Sequence, residues 1–239
     1  MCETCGCQTI HHHTSHGRIV DVFEGLLDAN NAQAEANRRH IEAIGAVVIN
    51  MISGPGSGKT TLLEKTIDLL ETQLRIGVIE GDIETELDAD RIRAKGVPVV
   101  QLTTGGACHL DAPLIHQGIH SLERQLNGRG LDLLFIENVG NLVCPATFDL
   151  GEHRRVVLVS VPEGSDKPTK YPKAFMSSHA FIITKKDVLP YFDFSLEKAE
   201  IEALKLNPKL SVMSLSALTG EGLDAWISYL RSLENRGRP

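Results

Sequence analysis

The sequence contains no apolar run approaching the ~20 residues that a membrane-spanning helix needs, and it has no excess of basic charge. A net charge of -7 and a pI near 5.8 argue against general binding to nucleic acid or to anionic membranes. The opening MCETCGCQTIHHHTSHG lacks the basic-then-apolar plan of a secretory signal, so the expected compartment is the cytoplasm. Cysteine is too scarce for a disulfide framework: 5 in 239 residues, with Cys2, Cys5 and Cys7 crowded together and Cys108 and Cys144 alone. An odd count in a reducing compartment points instead to thiolate metal ligands. No internal repeat is visible. What remains, 42% hydrophobic and 23% charged residues, is ordinary for a globular protein, and the length suits one α/β domain with an appendage.

Residues 1–17 read as a flexible Cys/His-rich leader with too few apolar side chains to fold alone. Residues 18–45 read as a helix packed on the main domain, amphipathic from Val20 to about Ile44 through Val22, Leu26, Ala29, Ala36, Ile41 and Ile44, and closed by Gly45. Residues 46–239 then alternate strands and helices. Strands are expected at Ala46–Ile52, Ile76–Ile79, Pro98–Leu102, Leu131–Ile136, Val156–Val161, Ala180–Thr184 and Leu210–Leu215. Helices are expected at Lys59–Gln73, Asp111–Leu126, Leu196–Leu206 and Leu223–Leu233. The pattern specifies a P-loop-type α/β fold, a mostly parallel sheet flanked by helices, with ligands at the carboxyl ends of the strands.

The segment INMISGPGSGKTTLL carries the strongest signal. A strand runs into Gly54, Pro55, Gly56, Ser57, Gly58, Lys59, Thr60 and Thr61, and then a helix begins. Successive backbone N–H groups at a helix start cradle phosphate, and glycines allow the close approach. Lys59 is placed to bridge β- and γ-phosphates and Thr60 to hold Mg²⁺. Ser53 stands where the strict pattern has glycine. The base is chosen by Thr184, Lys185, Lys186 and Asp187, a variant guanine signature in which the Asp187 carboxylate accepts from guanine N1–H and its amine. Ser216, Ala217 and Leu218, after the last strand, fit the loop that meets guanine O6. Asp82 and Glu137, at strand ends, are the Mg²⁺-supporting carboxylates, and Gly140 is placed at the γ-phosphate. The bland alternative makes Asp82 the cap of a helix starting near Glu84. The reading is a GTPase, with Lys59, Asp82 and Glu137 catalytic; no arginine finger is evident, so intrinsic hydrolysis is expected to be slow.

Two groups of soft donors follow. Cys2, Cys5 and Cys7 can converge on one ion if the chain turns at Gly6, and sulfur with amine nitrogen in a flat arrangement suits Ni(II) over tetrahedral Zn²⁺. His11, His12, His13 and His16 can hold further ions loosely. The alternatives are a redox CxxC and a tag remnant. Cys108 and His109, in a glycine-rich loop, and Cys144 are read as three donors at adjacent strand ends, completed by a second copy of the chain. Cys144 lies on the segment that also carries Glu137 and Gly140, so nucleotide state and metal affinity are expected to be coupled and reciprocal.

Together CETCGC, GPGSGKTT, EGDIET, TGGACHLDA, ENVGNLVCPATFDLGE, PEGSDKPTKYP, TKKDVLPYF and SALTGEG resemble the HypB family, the hydrogenase nickel-incorporation GTPases of the SIMIBI class. The resemblance spans nearly the whole chain. It implies a high-affinity nickel site at Cys2, Cys5 and Cys7, a weaker nickel or zinc site at Cys108, His109 and Cys144, and a GTP-promoted homodimer with Val188 and Phe192 as apolar contacts. Implied partners are a HypA-type nickel chaperone, SlyD and the hydrogenase large subunit. Thr184 departs from the usual Asn, and the leader histidines, which suggest some nickel storage, depart from cysteine-only leaders. The rivals are a urease-type nickel GTPase, whose CPH and ESGGDN marks are replaced here by ACHLD and ENVGN; a nickel or zinc storage protein with a regulatory GTP site; and a metabolite kinase, for which no acceptor site is evident.

Overall fold

The computed structural model describes residues 15–82 and 86–234, with side chains from 24 to 82 and 86 to 233. Cys2, Cys5, Cys7 and the histidines from His11 to His16 therefore lie outside the described side chains. The elements run α1 (Ser15–Ile44), β1 (Val47–Ser53), α2 (Lys59–Leu70), β2 (Ile76–Asp82), α3 (Leu87–Arg93), β3 (Val99–Thr103), α4 (Ala112–Leu126), β4 (Leu133–Gly140), β5 (Arg154–Ser160), the short helices α5 (Lys167–Lys170) and α6 (Pro172–Met176), β6 (Ala180–Thr184), α7 (Leu196–Leu206), β7 (Ser211–Ser214) and α8 (Leu223–Glu234). The seven strands form one sheet in the order β3-β2-β4-β1-β5-β6-β7, every pairing parallel. Among the described residues no helix is long and apolar enough to cross a membrane.

Strand alternation divides the core. Val47, Ile49 and Met51 of β1, with Leu133 and Phe135 of β4, pack against Leu62, Leu63 and Ile67 of α2 and Trp226 and Leu230 of α8. Val48, Leu134 and Ile136 face the opposite way, toward Ile41 of α1 and Ile115, Ile119 and Leu122 of α4. The same alternation puts Glu80 and Glu137 on the α2 face of the sheet, directly opposite each other in register across β2 and β4. β2 and β4 thus run past the points where their apolar runs stop, because the acidic residues are themselves strand residues.

Helix α1 starts at Ser15, ahead of the expected Val20, and docks differently from the aliphatic stripe read in the sequence. Leu26 is 61% exposed, and among the described side chains of α1 the buried positions are Asn30, Ala34, Asn37 and Ile41; of the expected stripe Ile41 is buried and Ile44 packs against the same core. The asparagines dock it by hydrogen bonding. The Asn37 amide donates to the carbonyls of Ala112 (2.8 Å) and Leu150 (3.2 Å). Asn30 donates to the Asp149 carbonyl and accepts from the Ala112 N–H, both at 2.8 Å. Those pairings satisfy a buried helix start and a buried turn that would otherwise be costly to leave unpaired. A Cβ on Gly151 would lie 2.6 Å from the Ala34 carbonyl, so this glycine lets the turn touch α1.

Candidate nucleotide and metal sites

β1 sits at the point where the strand order reverses, with β4 on one side and β5 on the other, and its loop opens onto a cleft of about 350 Å³ at the carboxyl ends of the strands. Pro55, Gly56, Ser57, Gly58, Lys59, Thr60 and Thr61 line it together with Glu80, Asp82, Glu137 and Gly140. Gly58 has φ +87°, a left-handed turn into α2 that a residue with a side chain adopts at a cost. At Gly140 a Cβ would sit 3.0 Å from Pro55 Cα, so glycine there lets β4 press against the phosphate loop.

Lys59 is buried, which pushes its pKa down despite Glu137, and its ammonium donates to Ser53 Oγ at 2.8 Å. Ser53, the departure from the strict pattern, is thus the resting contact of the lysine. Thr60 Oγ1 donates to Glu137 Oε1 at 2.6 Å. The second oxygens of Glu137 and Glu80 are buried without hydrogen-bond partners. Burial lifts Glu80 to about 8, reinforced by the neighbouring Glu137, and burial lifts Glu137 to about 6 against the pull of Lys59. Two buried carboxylates with unsatisfied oxygens beside a threonine hydroxyl fit a hard divalent cation. Asp82 is half-buried at the cleft rim. Glu80 was passed over in the sequence because the expected strand ended at Ile79, whereas β2 runs on to Asp82; its signal is its parity with Asp82.

A second missed residue braces the loop. Glu163 Oε2 accepts from Ser57 Oγ (2.6 Å), from Ser160 N (2.7 Å) and from Ser160 Oγ (2.7 Å). Its other oxygen would lie 2.5 Å from a Cβ on Gly54, so glycine there lets Glu163 reach the loop.

Beside the cleft, a pocket of about 210 Å³ is lined by Gly58, Thr61, Thr184, Lys185, Asp187, Val188, Ala217 and Leu218. Thr184 Oγ1 donates to the Ser57 carbonyl at 2.6 Å, and Lys185, in a left-handed conformation with φ +57°, donates to the Gly56 carbonyl at 2.7 Å. Thr184, the departure from the usual Asn, therefore ties the 184–187 loop to the phosphate loop through its hydroxyl. Ser216 Oγ donates to Asp187 Oδ1 at 2.5 Å, which fixes the Asp187 carboxylate at the pocket wall. Val188 is half-buried against the core, while Phe192 is 46% exposed and follows a 3-10 turn at Lys186–Tyr191.

Cys108, His109 and Cys144 converge, with their ligand atoms all within 4.8 Å of one another. Cys108 Sγ donates to Cys144 Sγ at 3.0 Å, and both thiols are free. The strand ends that bring them there are not adjacent, as the sequence reading had them: β2 lies between β3 and β4. The 104–111 segment crosses the end of β2 because Gly81 leaves room for Leu110; a Cβ there would lie 2.6 Å from Leu110 Cδ1. It reaches β4, where Leu110 N–H donates to Asn138 Oδ1 at 3.2 Å. His109 stacks on Phe148 at 4.1 Å between ring centroids, and its Nδ1 is buried without a partner. On the other side Asn141 forms a bridge with Ser53, so the segment leading to Cys144 touches the start of the phosphate loop.

Residues 47–214 match the family described as CobW/HypB/UreG, nucleotide-binding domain. The chain belongs to that family. Among proteins of this family it is 48% identical over 218 residues to the hydrogenase maturation factor HypB of Azotobacter chroococcum, covering 90% of this chain and 70% of that protein. The Escherichia coli K12 HypB is 46% identical over 218 residues, 91% of this chain and 74% of its own. Among solved structures, HypB from Helicobacter pylori in complex with nickel superposes with a TM-score of 0.83 at 39% identity, over 87% of this chain and 96% of that one. For a member of the CobW/HypB/UreG family, a nucleotide-binding P-loop domain is the shared element, and the cleft at β1 is its place in this chain.

Proposed function

We propose that this chain is a GTP-hydrolysing nickel metallochaperone of the cytoplasm that delivers Ni(II) to the large subunit of a [NiFe]-hydrogenase during its maturation. The observation that carries the reading is a guanine-type pocket and phosphate cleft joined by one short segment to a Cys108–His109–Cys144 triad. Likeness to HypB proteins named as hydrogenase maturation factors, and to one solved with nickel, supports the cargo and the client.

In this reading Lys59 leaves Ser53 to span the β- and γ-phosphates, and the N–H groups of the Gly54–Thr61 loop hold the rest. Thr60, Glu137, Asp82 and Glu80 would hold Mg²⁺, which supplies neutralising charge to the phosphates when bound. Asp187, aimed by Ser216, accepts from the guanine edge, and the Ala217–Leu218 backbone meets O6. Gly140 contacts the γ-phosphate from β4. Arg91 also lines the cleft but is held by Glu64 and Asp88, so it does not serve as a free arginine finger and hydrolysis stays slow.

The triad offers three soft donors for nickel or zinc, and a second copy of the chain completes the coordination across a GTP-promoted dimer that uses Val188 and Phe192. Cys2, Cys5 and Cys7 form the tighter nickel site. A HypA-type chaperone and SlyD are the expected partners in handing the ion on. Because the Ser53–Asn141 bridge joins the phosphate loop to the Cys144 segment, nucleotide state shifts the triad's grip on nickel. Nickel titration of the chain carrying Cys2, Cys5 and Cys7→Ala, with GDP and then with a non-hydrolysable GTP analogue, tests this. Affinities differing at least several-fold are expected; equal affinities favour passive storage and sink the delivery reading.

A further inference from the structure

A second cluster of ligands lies away from the thiols, between α1 and α4. His116 and His120 stand one turn apart on the same face of α4, with Glu123 one further turn along. His40 reaches them from α1. The three imidazoles stand close, with ring centroids 4.6 Å apart for His116 and His120, 4.9 Å for His40 and His120, and 6.1 Å for His40 and His116. One nitrogen from each lies within 4.8 Å of the others. Glu123 grips two of the rings, Oε1 to His40 Nε2 at 2.9 Å and Oε2 to His120 Nδ1 at 3.1 Å.

An ordinary helix contact needs one histidine and one glutamate. It does not explain a third histidine whose Nδ1 is buried with no hydrogen-bond partner. Nor does it favour three like titratable rings in van der Waals range, since protonating any two sets positive charges together. A cation that binds neutral imidazole removes both difficulties, and the carboxylate then serves as a fourth ligand or orients a ligating ring through its other nitrogen. Metal–nitrogen bonds of about 2.0–2.1 Å require nitrogens roughly 3.3 Å apart, which side-chain rotation of about 1–1.5 Å provides here. His120 is 49% exposed, so an ion can enter from solvent.

We propose that His40, His116 and His120, with Glu123, form a separate binding site for a divalent late first-row transition ion of the Zn²⁺ or Ni²⁺ class, one that clamps α1 onto α4. The site shares no residue with the triad or with the nucleotide cleft. By position it ties the helix leading out of residues 1–14 to the helix leading out of Cys108 and His109.

The test uses the full-length chain. Equilibrium dialysis against Zn²⁺ and, separately, Ni²⁺ is compared for the wild type, His120→Gln and His116→Gln, with imidazole ¹⁵N shifts of His40, His116 and His120 followed through each titration. The expected result is one fewer ion bound per chain in both variants, and ligation shifts in all three rings of the wild type. Whichever ion moves these rings at the lower concentration is the preferred one: zinc if the four donors close a tetrahedron, nickel if solvent fills further positions. His120→Gln, at a half-exposed position, keeps the test valid should His116→Gln fail to fold. An unchanged ion count with both metals, or three rings that do not respond, overturns the proposal.

Discussion

Arg155 offers a demanding check of how the metal segment is held. Its guanidinium is buried and donates to Glu152 Oε1 through Nε (2.8 Å) and Nη2 (2.5 Å), to the Phe148 carbonyl (2.8 Å), to the Ala146 carbonyl (3.2 Å) and to Ser177 Oγ (3.2 Å). The paired side chains are only 8% and 5% exposed. Burial pushes the Glu152 carboxyl up, but Arg155 and the N–H of Leu150 outweigh it and hold the pKa below its ordinary 4.5. That contribution is present above pH 4.5 and is lost on acidification. Arg155→Met keeps volume while stranding a buried carboxylate and two turn carbonyls. Losing one partner of such a pair costs about 3–5 kcal/mol. Urea unfolding at pH 7 measures it. Adding Glu152→Gln removes the stranded charge, so the double variant is expected to recover to within about 2 kcal/mol of wild type. Ala146 and Phe148 flank the turn after Cys144, so Arg155→Met also weakens nickel binding at the triad. A single variant costing less than about 1 kcal/mol, or a double variant no better than the single one, refutes the reasoning.

Two further outcomes follow from the cleft. Asp187→Asn turns an acceptor toward the guanine edge into a mixed group, and GTP binding is expected to weaken by roughly 10³–10⁴-fold while binding of xanthosine triphosphate strengthens, as read by fluorescent-nucleotide competition. Glu80 titrates near 8 in the folded chain against 4.5 in the unfolded one, so the fold holds a proton there that the unfolded chain releases, and stability falls as pH rises through this window. At about 1.4 kcal/mol per pH unit the ceiling is about 5 kcal/mol, and water in the open cleft reduces it to roughly 2. Glu80→Gln should therefore stabilise the nucleotide-free protein at pH 8 by about 2 kcal/mol and flatten its pH dependence in urea unfolding, while slowing GTP turnover; an unchanged pH profile contradicts it.

The phosphate and base loops were legible because their chemistry is local. A buried strand, glycines at fixed offsets and a helix start define one loop within a dozen residues, and a strand end carrying Lys185 and Asp187 defines the other. What was not legible depends on the sheet. Glu80 reads as a loop residue after the apolar run ending at Ile79 until the extension of β2 to Asp82 places it opposite Glu137. Glu163 lies more than a hundred residues from Ser57, and only the β1–β5 pairing brings them together. The short helices α3, α5 and α6 lack the length for periodicity to show. In α1 the apolar stripe held at Ile41 and Ile44 and failed at Leu26 and Ala29, since Asn30 and Asn37 dock the helix by pairing with backbone groups that exist only once the Leu150 turn and the start of α4 are built.

The same distinction explains why two metal clusters differ in legibility. Cys108, His109 and Cys144 could be grouped from sequence because thiols too few for a disulfide framework invite the question, although the crossing over β2 that joins them could not. The histidines of α1 and α4 carry no such invitation. His116 and His120 alone are an ordinary helical pair, and His40 lies far off in the chain. Their convergence follows from where the asparagines set α1 beside the start of α4, where Asn37 Nδ2 donates to the Ala112 carbonyl and Asn30 Oδ1 accepts from the Ala112 N–H, both at 2.8 Å. The site is therefore a consequence of the Asn30 and Asn37 hydrogen bonds, and it stands or falls with them.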